Sequence, residues 1–188
     1  MSPKHPEHQV KGVWFVSGEA YLRATLPSGE YDRLLASLPA QARSALESPM
    51  PSEWYPESAA ADLQRAWFEV AAGGSEAEFA RMIAAASEHG LNRFFRALAR
   101  VATGRFLIKQ APGIWKHLRR GPATVRVEDQ GGSMVVRYAR FPFFEDRLYA
   151  TVFQVQLATL VRVATGTTPS TRILDMTATS LDTEIDLD

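Results

Sequence analysis

Residues 124–139 read TVRVEDQGGSMVVRYA, and here the period of the chain changes from 3.6 to 2. Val125 and Val127 alternate with Thr124 and Arg126. Asp129-Gln130-Gly131-Gly132 has the composition of a turn. Met134, Val136 and Tyr138 then alternate with Val135, Arg137 and Ala139. Two alternating runs about such a turn predict a β-hairpin.

Upstream of the hairpin the spacing is helical. Between Glu19 and about Leu38, residues Tyr31, Leu34, Leu35 and Leu38 fall on one helix face, and Pro39 ends the run. Residues 48–56 (SPMPSEWYP) are a loop punctuated by prolines. Glu57 and Ser58 open a helix carrying Leu63, Ala66, Trp67 and Val70, and Gly73-Gly74 ends it. Ser75 with Glu78 is a capping box that starts a helix with Phe79, Met82, Ile83 and Ala86, closed by His89-Gly90. A further helix carries Leu91, Phe94, Phe95, Leu98 and Ala102. Another helical segment, broken at Pro112-Gly113, runs to Arg120.

Downstream, a long helix is predicted from about Glu145 to Thr165, with Gly166 as its stop. A second strand pair follows, over 172–179 and 181–188. Its last strand alternates Leu181, Thr183, Ile185 and Leu187 with Asp182, Glu184, Asp186 and Asp188, and reads as an acidic, edge-protecting strand. Strands that pair locally imply an antiparallel sheet. The expected architecture is α+β: N-terminal helices followed by helix–hairpin–helix–hairpin, with the sheet packed on helices. Residues 1–10 are expected to be a flexible tail, and residues 11–188 one α+β domain.

Composition excludes several function classes. The 188 residues include 21 Lys+Arg and 21 Asp+Glu, so the formal net charge is zero, which argues against a general nucleic-acid binder. Cysteine is absent, which removes disulfides, thiolate nucleophiles, iron–sulfur clusters and cysteine-ligated zinc. No apolar stretch is long enough to span a bilayer, and the N-terminus has no signal-peptide core, so a cytoplasmic location without membrane insertion is expected. A nucleophile elbow, a phosphate loop and a His-Glu-x-x-His zinc motif are all missing, so no catalytic residue is assigned. His5 and His8 stand in the proline-containing tail, His89 beside a helix-ending glycine, and His117 among Lys116 and Arg119; none is assigned to a metal, and no cofactor is expected.

Two features remain as candidates for function. The first is charge: residues 91–126 hold nine basic side chains and no acid, whereas residues 17–90 hold eleven acids against five arginines. Arg93, Arg96 and Arg100 share a helix face and form a basic stripe. It either docks an acidic partner or pairs with the acidic N-terminal helices of the same fold. The second is aromatic content: Phe94, Phe95, Phe106, Trp115, Phe141, Phe143, Phe144, Tyr149 and Phe153 crowd into 94–153. Such a set either is plain core or lines an apolar pocket.

Several short motifs carry a resemblance. Lys-Gly-Val at 11–13, Leu-Pro at 38–39, Trp-Tyr-Pro at 54–56, Pro-x-x-Trp at 112–115 with Gly121 after it, and the hairpin–helix–Gly–strand ending resemble a myxobacterial family of single-domain proteins about this long. That family is similar, mainly over residues 90–188, to heme–nitric-oxide/oxygen-binding domains, vinyl-reductase-type small-molecule domains and acyl-chain-holding trafficking subunits. The resemblance implies an α+β domain with a ligand cavity between helices and sheet. The heme-binding domains carry Tyr-x-Ser-x-Arg after a strand. The matching stretch here is Tyr138-Ala139-Arg140-Phe141-Pro142, with the serine replaced and the arginine displaced. Those domains hold their iron by a histidine on the helix before the hairpin; the matching stretch here, Leu91–Ala102, has none, with His89 at its edge and His117 too close to the hairpin.

The expectation is therefore a non-enzymatic regulatory or sensory domain for an apolar small molecule or acyl chain. Trp115, Phe106 and Phe153 would line the cavity, with Tyr138 and Arg140 at its mouth. The alternative is a protein-interaction module, adaptor or homodimer, with a filled core and Arg93, Arg96 and Arg100 as its docking stripe.

Overall fold

A computed structural model describes residues 5–95 and 103–187. The chain folds as two compact units. The first comprises residues 1–82 and 118–121, the second residues 83–117 and 122–188.

The first unit contains β1 (Gln9–Lys11), α1 (Val13–Thr25), α2 (Ser28–Ser37), α3 (Ala40–Glu47), β2 (Trp54–Pro56), α4 (Glu57–Ala66) and a π-helical turn (Trp67–Ala71), together with β3 (Arg119–Arg120). Pro27, Pro39 and Pro56 precede α2, α3 and α4, where a fixed φ starts a helix and no N–H is wasted. Arg43 on α3 donates to the Leu35 and Ala36 carbonyls at the end of α2, at 2.9 and 3.1 Å. Phe15, Leu22, Leu34, Leu46, Leu63 and Trp67 are buried.

The strands form an antiparallel sheet in the order β2-β1-β3, with Val10 opposite both Tyr55 and Arg119. The expected tail therefore ends earlier than residue 10, because His8 and Val10 are buried. Two motif glycines allow this sheet to close. A Cβ on Gly12 would lie 2.0 Å from the Met50 carbonyl oxygen. Gly121 has φ +133°, and a Cβ there would meet the Glu7 carbonyl and the His8 ring at 2.9 Å. The Trp54 ring is covered by the Arg120 guanidinium at 4.0 Å and by Lys11 Nζ at 5.6 Å.

The boundary between the units falls within helix α5 (Glu76–Phe95). The capping box at its start forms, with Glu78 N donating to Ser75 Oγ at 3.3 Å. The helix does not close at His89-Gly90 as expected. A mid-helix glycine costs only about 1 kcal/mol, and no proline follows to enforce a stop.

The second unit continues with α6 (Gly104–Lys109), α7 (Ala111–Leu118), β4 (Thr124–Asp129), β5 (Ser133–Ala139), a 3₁₀ turn (Pro142–Glu145), α8 (Arg147–Thr165), β6 (Thr171–Met176) and β7 (Ser180–Asp186). Pro112 does not break a helix; it sits in the first turn of α7, where proline is tolerated. Arg119 and Arg120 leave the helical run and form β3. Asp146 caps α8 by accepting from Leu148 N at 3.0 Å, and Gly166 ends that helix with φ +78°.

The four strands form an antiparallel sheet in the order β4-β5-β7-β6. Met134, Val136, Tyr138, Leu181, Thr183 and Ile185 are buried on the face that α8 covers. The acidic strand is not an edge. β7 lies between β5 and β6, and its carboxylates meet cations: Asp182 pairs with Arg137, and Glu184 with Arg172 and with Ser133 Oγ at 2.9 Å. Sequence periodicity places these acids on one face, but only the strand order shows that arginines flank them.

Candidate functional site

The interior of the second unit is built from rings. Tyr138 arrives from β5, Trp115 from α7, Phe141 and Phe144 from the segment after β5, and Tyr149 and Phe153 from the first turns of α8. Tyr138 and Phe153 stand 5.2 Å apart, Trp115 and Phe153 5.5 Å, Trp115 and Tyr138 5.4 Å, and Phe141 and Phe144 5.2 Å, between centroids. Most contacts are tilted or edge-to-face, the geometry the ring quadrupole favours. All six rings are buried. The arrangement follows from local sequence. The alternation of β5 turns Tyr138 inward, and the 3₁₀ turn at Pro142 folds Phe141, Phe143 and Phe144 back onto α8.

Of the expected ligand-lining residues, Trp115, Tyr138 and Phe153 are thus brought together. Phe106 on α6 is 48% exposed. Arg140 follows Tyr138 by two residues but lies exposed, in the left-handed region at φ +58°. Arg96 and Arg100 of the expected basic stripe lie outside the described residues, as does the side chain of Arg93.

His5 and His8 stand together, with ring centroids 6.4 Å apart. His5 and His8 belong to the first unit, where His8 is buried. His89 is exposed on α5, inside the helix and not at its end, and His117 is exposed in the last turn of α7. Among the described residues no group of His, Asp and Glu is arranged to hold a metal ion.

Two polar arrangements are not visible in the sequence. The first is a cleft of about 490 Å³ at the end of the four-stranded sheet, lined by Gln130, Ser133, Ser170, Arg172, Glu184 and Asp186 among others. Hydrogen bonds from Arg172 and then Ser133 hold the Glu184 carboxyl below its usual range. The cleft joins residues from both hairpins, which only the β5-β7 pairing brings together.

The second is a buried charged group in the first unit. Arg119 Nε donates to Glu57 Oε1 at 3.2 Å, with both side chains almost wholly buried, and the Glu57 amide donates to the His8 carbonyl at 3.0 Å. Burial pushes the His8 imidazole below its ordinary value, while Glu7 and Glu57 pull it the other way. The sequence carries one hint of this group, a Glu at the first position of a helix directly after Pro56.

No protein-family model and no curated protein matches the chain. Solved structures do. The Fe(II) unliganded H-NOX protein from K. algicida superposes with a TM-score of 0.67 over 95% of this chain and 96% of its own, at 11% identity. An H-NOX protein from S. oneidensis in the Fe(II)NO ligation state gives 0.64 over 95% and 99%, at 14% identity. The chain has the H-NOX fold. Another H-NOX family member, studied for its heme distortion, gives 0.61 at 12% identity. At these identities the likeness to H-NOX proteins is one of fold. The α+β architecture expected from the hairpin and the helices is the one found. Among the described residues no helix is long and apolar enough to cross a membrane.

Proposed function

We propose that this chain is a non-enzymatic sensory or regulatory domain that uses the H-NOX fold without heme. Its ligand would be an apolar small molecule or acyl chain held against the aromatic interior between α8 and the four-stranded sheet. The observation that supports this reading is that interior itself: the buried rings of Tyr138 from β5, Trp115 from α7 and Phe153 from α8, packed 5.2 to 5.5 Å apart between centroids.

The residues present do not fit heme. Residues 91–118 contain a single histidine, His117, and it is exposed on α7. Tyr138 is turned into the ring cluster, Arg140 is exposed, and Pro142 stands where the propionate-holding pattern has its arginine. An apolar ligand asks for nothing that is missing. Aromatic walls supply contact area, and Tyr138 with Arg140 would mark the side from which a polar end reaches solvent.

Tryptophan fluorescence during titration with lauric or oleic acid tests the proposal. A saturable change is expected in the wild type and its loss in Trp115→Phe. A flat titration, together with a bare polypeptide mass in native mass spectrometry of protein from its own host, would overturn it. The closeness of the rings favours a second reading, an interaction module with a filled core. In that case hydrogen exchange in α8 would not respond to any of these fatty acids.

A further inference from the structure

The two edges of the four-stranded sheet are unlike. β6 carries a register irregularity between Ile173 and Asp175, the kind of bulge that blunts an edge. β4 carries none, and its six residues pair with β5 in unbroken register from Thr124 to Asp129. No proline lies within it. Among the described residues no strand pairs with its other side, and there another strand could continue the ladder.

The side chains of β4 define what that strand must look like. Arg126 and Glu128 are exposed and share the outer face, on either side of Val127. Arg126 faces Arg137 directly across the β4–β5 ladder, a juxtaposition of like charges. Arg137 is already held by Glu128 at 3.0 Å and by Asp182. Among the described residues Arg126 has no anion. The strand therefore presents a cation and an anion two residues apart, and the cation is unanswered.

We infer that β4 pairs antiparallel with β4 of a second copy of this chain, centred on Val127. A two-fold axis through an antiparallel pair makes the central residue face itself, so its neighbours face each other reciprocally. Val127 then meets Val127 of the partner subunit on the covered face. Arg126 of each copy meets Glu128 of the other on the outer face, so each arginine gains the anion it lacks. The same charges repel strands that do not carry the opposite order, which makes the edge selective for itself. Pairing along one six-residue edge buries less than a standard interface, so the dimer is concentration-dependent. The inference is independent of any ligand.

Sedimentation of the full chain from about 1 µM to about 300 µM tests it. The wild type is expected to pass from monomer to dimer. Arg126→Glu alone and Glu128→Arg alone each place like charges opposite one another, so each stays monomeric. An equimolar mixture of the two variants restores two opposite-charge pairs, so the mixture dimerises. A wild type that stays monomeric throughout, single variants that dimerise like it, or a mixture that does not associate would overturn the inference. If Glu128→Arg does not fold, hydrogen exchange of the wild type decides. Amides of 124–129 should gain protection with concentration while those of 171–176 do not, and equal behaviour of both edges would refute the pairing.

Discussion

Arg119 and Glu57 lie 62 residues apart in the chain and meet in the buried part of the first unit. Removing one partner leaves an uncompensated buried charge, which costs far more than the pair contributes. Arg119→Ala should therefore lower the unfolding free energy by about 3 kcal/mol or more, read from the denaturant midpoint. A shift below about 1 kcal/mol would mean that water reaches Glu57. His8 sets a pH dependence in the same region. Burial lowers its pKa from 6.5, so the unfolded chain binds the proton more readily than the folded one. Its contribution is fully present above pH 6.5 and is lost as pH falls through the folded value. Melting temperature should fall between about pH 7.5 and about pH 5, and fall less steeply in His8→Gln. Equal slopes in the two proteins would refute this assignment. Beyond the placement of Glu57 after Pro56, this group is not legible in the sequence, because it assembles from three segments whose separation no periodicity reports.

At the scale of elements, local rules account for most starts and stops. Helix α8 has a capped beginning at Asp146 and a glycine end at Gly166, and it carries Tyr149 and Phe153 into the ring cluster. Asp146→Ala removes the acceptor for the Leu148 amide, and a cost of about 1 kcal/mol is expected in thermal melts. A change within error would show that the 3₁₀ turn before α8 fixes the helix start by itself. Where local rules fail, tertiary contact prevails. α5 passes through His89-Gly90, Pro112 begins a helix, and residues 9–11 make a strand because β2 and β3 flank them on either side. The sheet shows the same division. Alternation identifies β4, β5 and β7, and β-branched, apolar content identifies β6, but the order β4-β5-β7-β6 decides that the acidic strand is interior and that β4 is an edge.

At the scale of the whole molecule, the likeness to H-NOX proteins at 10–14% identity is one of architecture. Hemin added to the purified chain should give no stoichiometric Soret band, because residues 91–118 offer the iron a single histidine, His117, and that one is exposed on α7. A one-to-one complex abolished by His117→Ala or His89→Ala would show that a histidine reaches the iron after all. The absence of cysteine, the count of four histidines, the shift of period at residue 124 and the helix caps were determined by the sequence alone, since each depends on residue identity or on spacing within one element. They suffice for the α+β class and for excluding disulfides, thiolate nucleophiles and cysteine-ligated metals. Which aromatics touch, which arginine answers which carboxylate, and which strand is left open were decided only by tertiary structure. Those facts depend on pairing between segments far apart in the chain, and a side chain's alternation says which face it takes without saying what lies across from it.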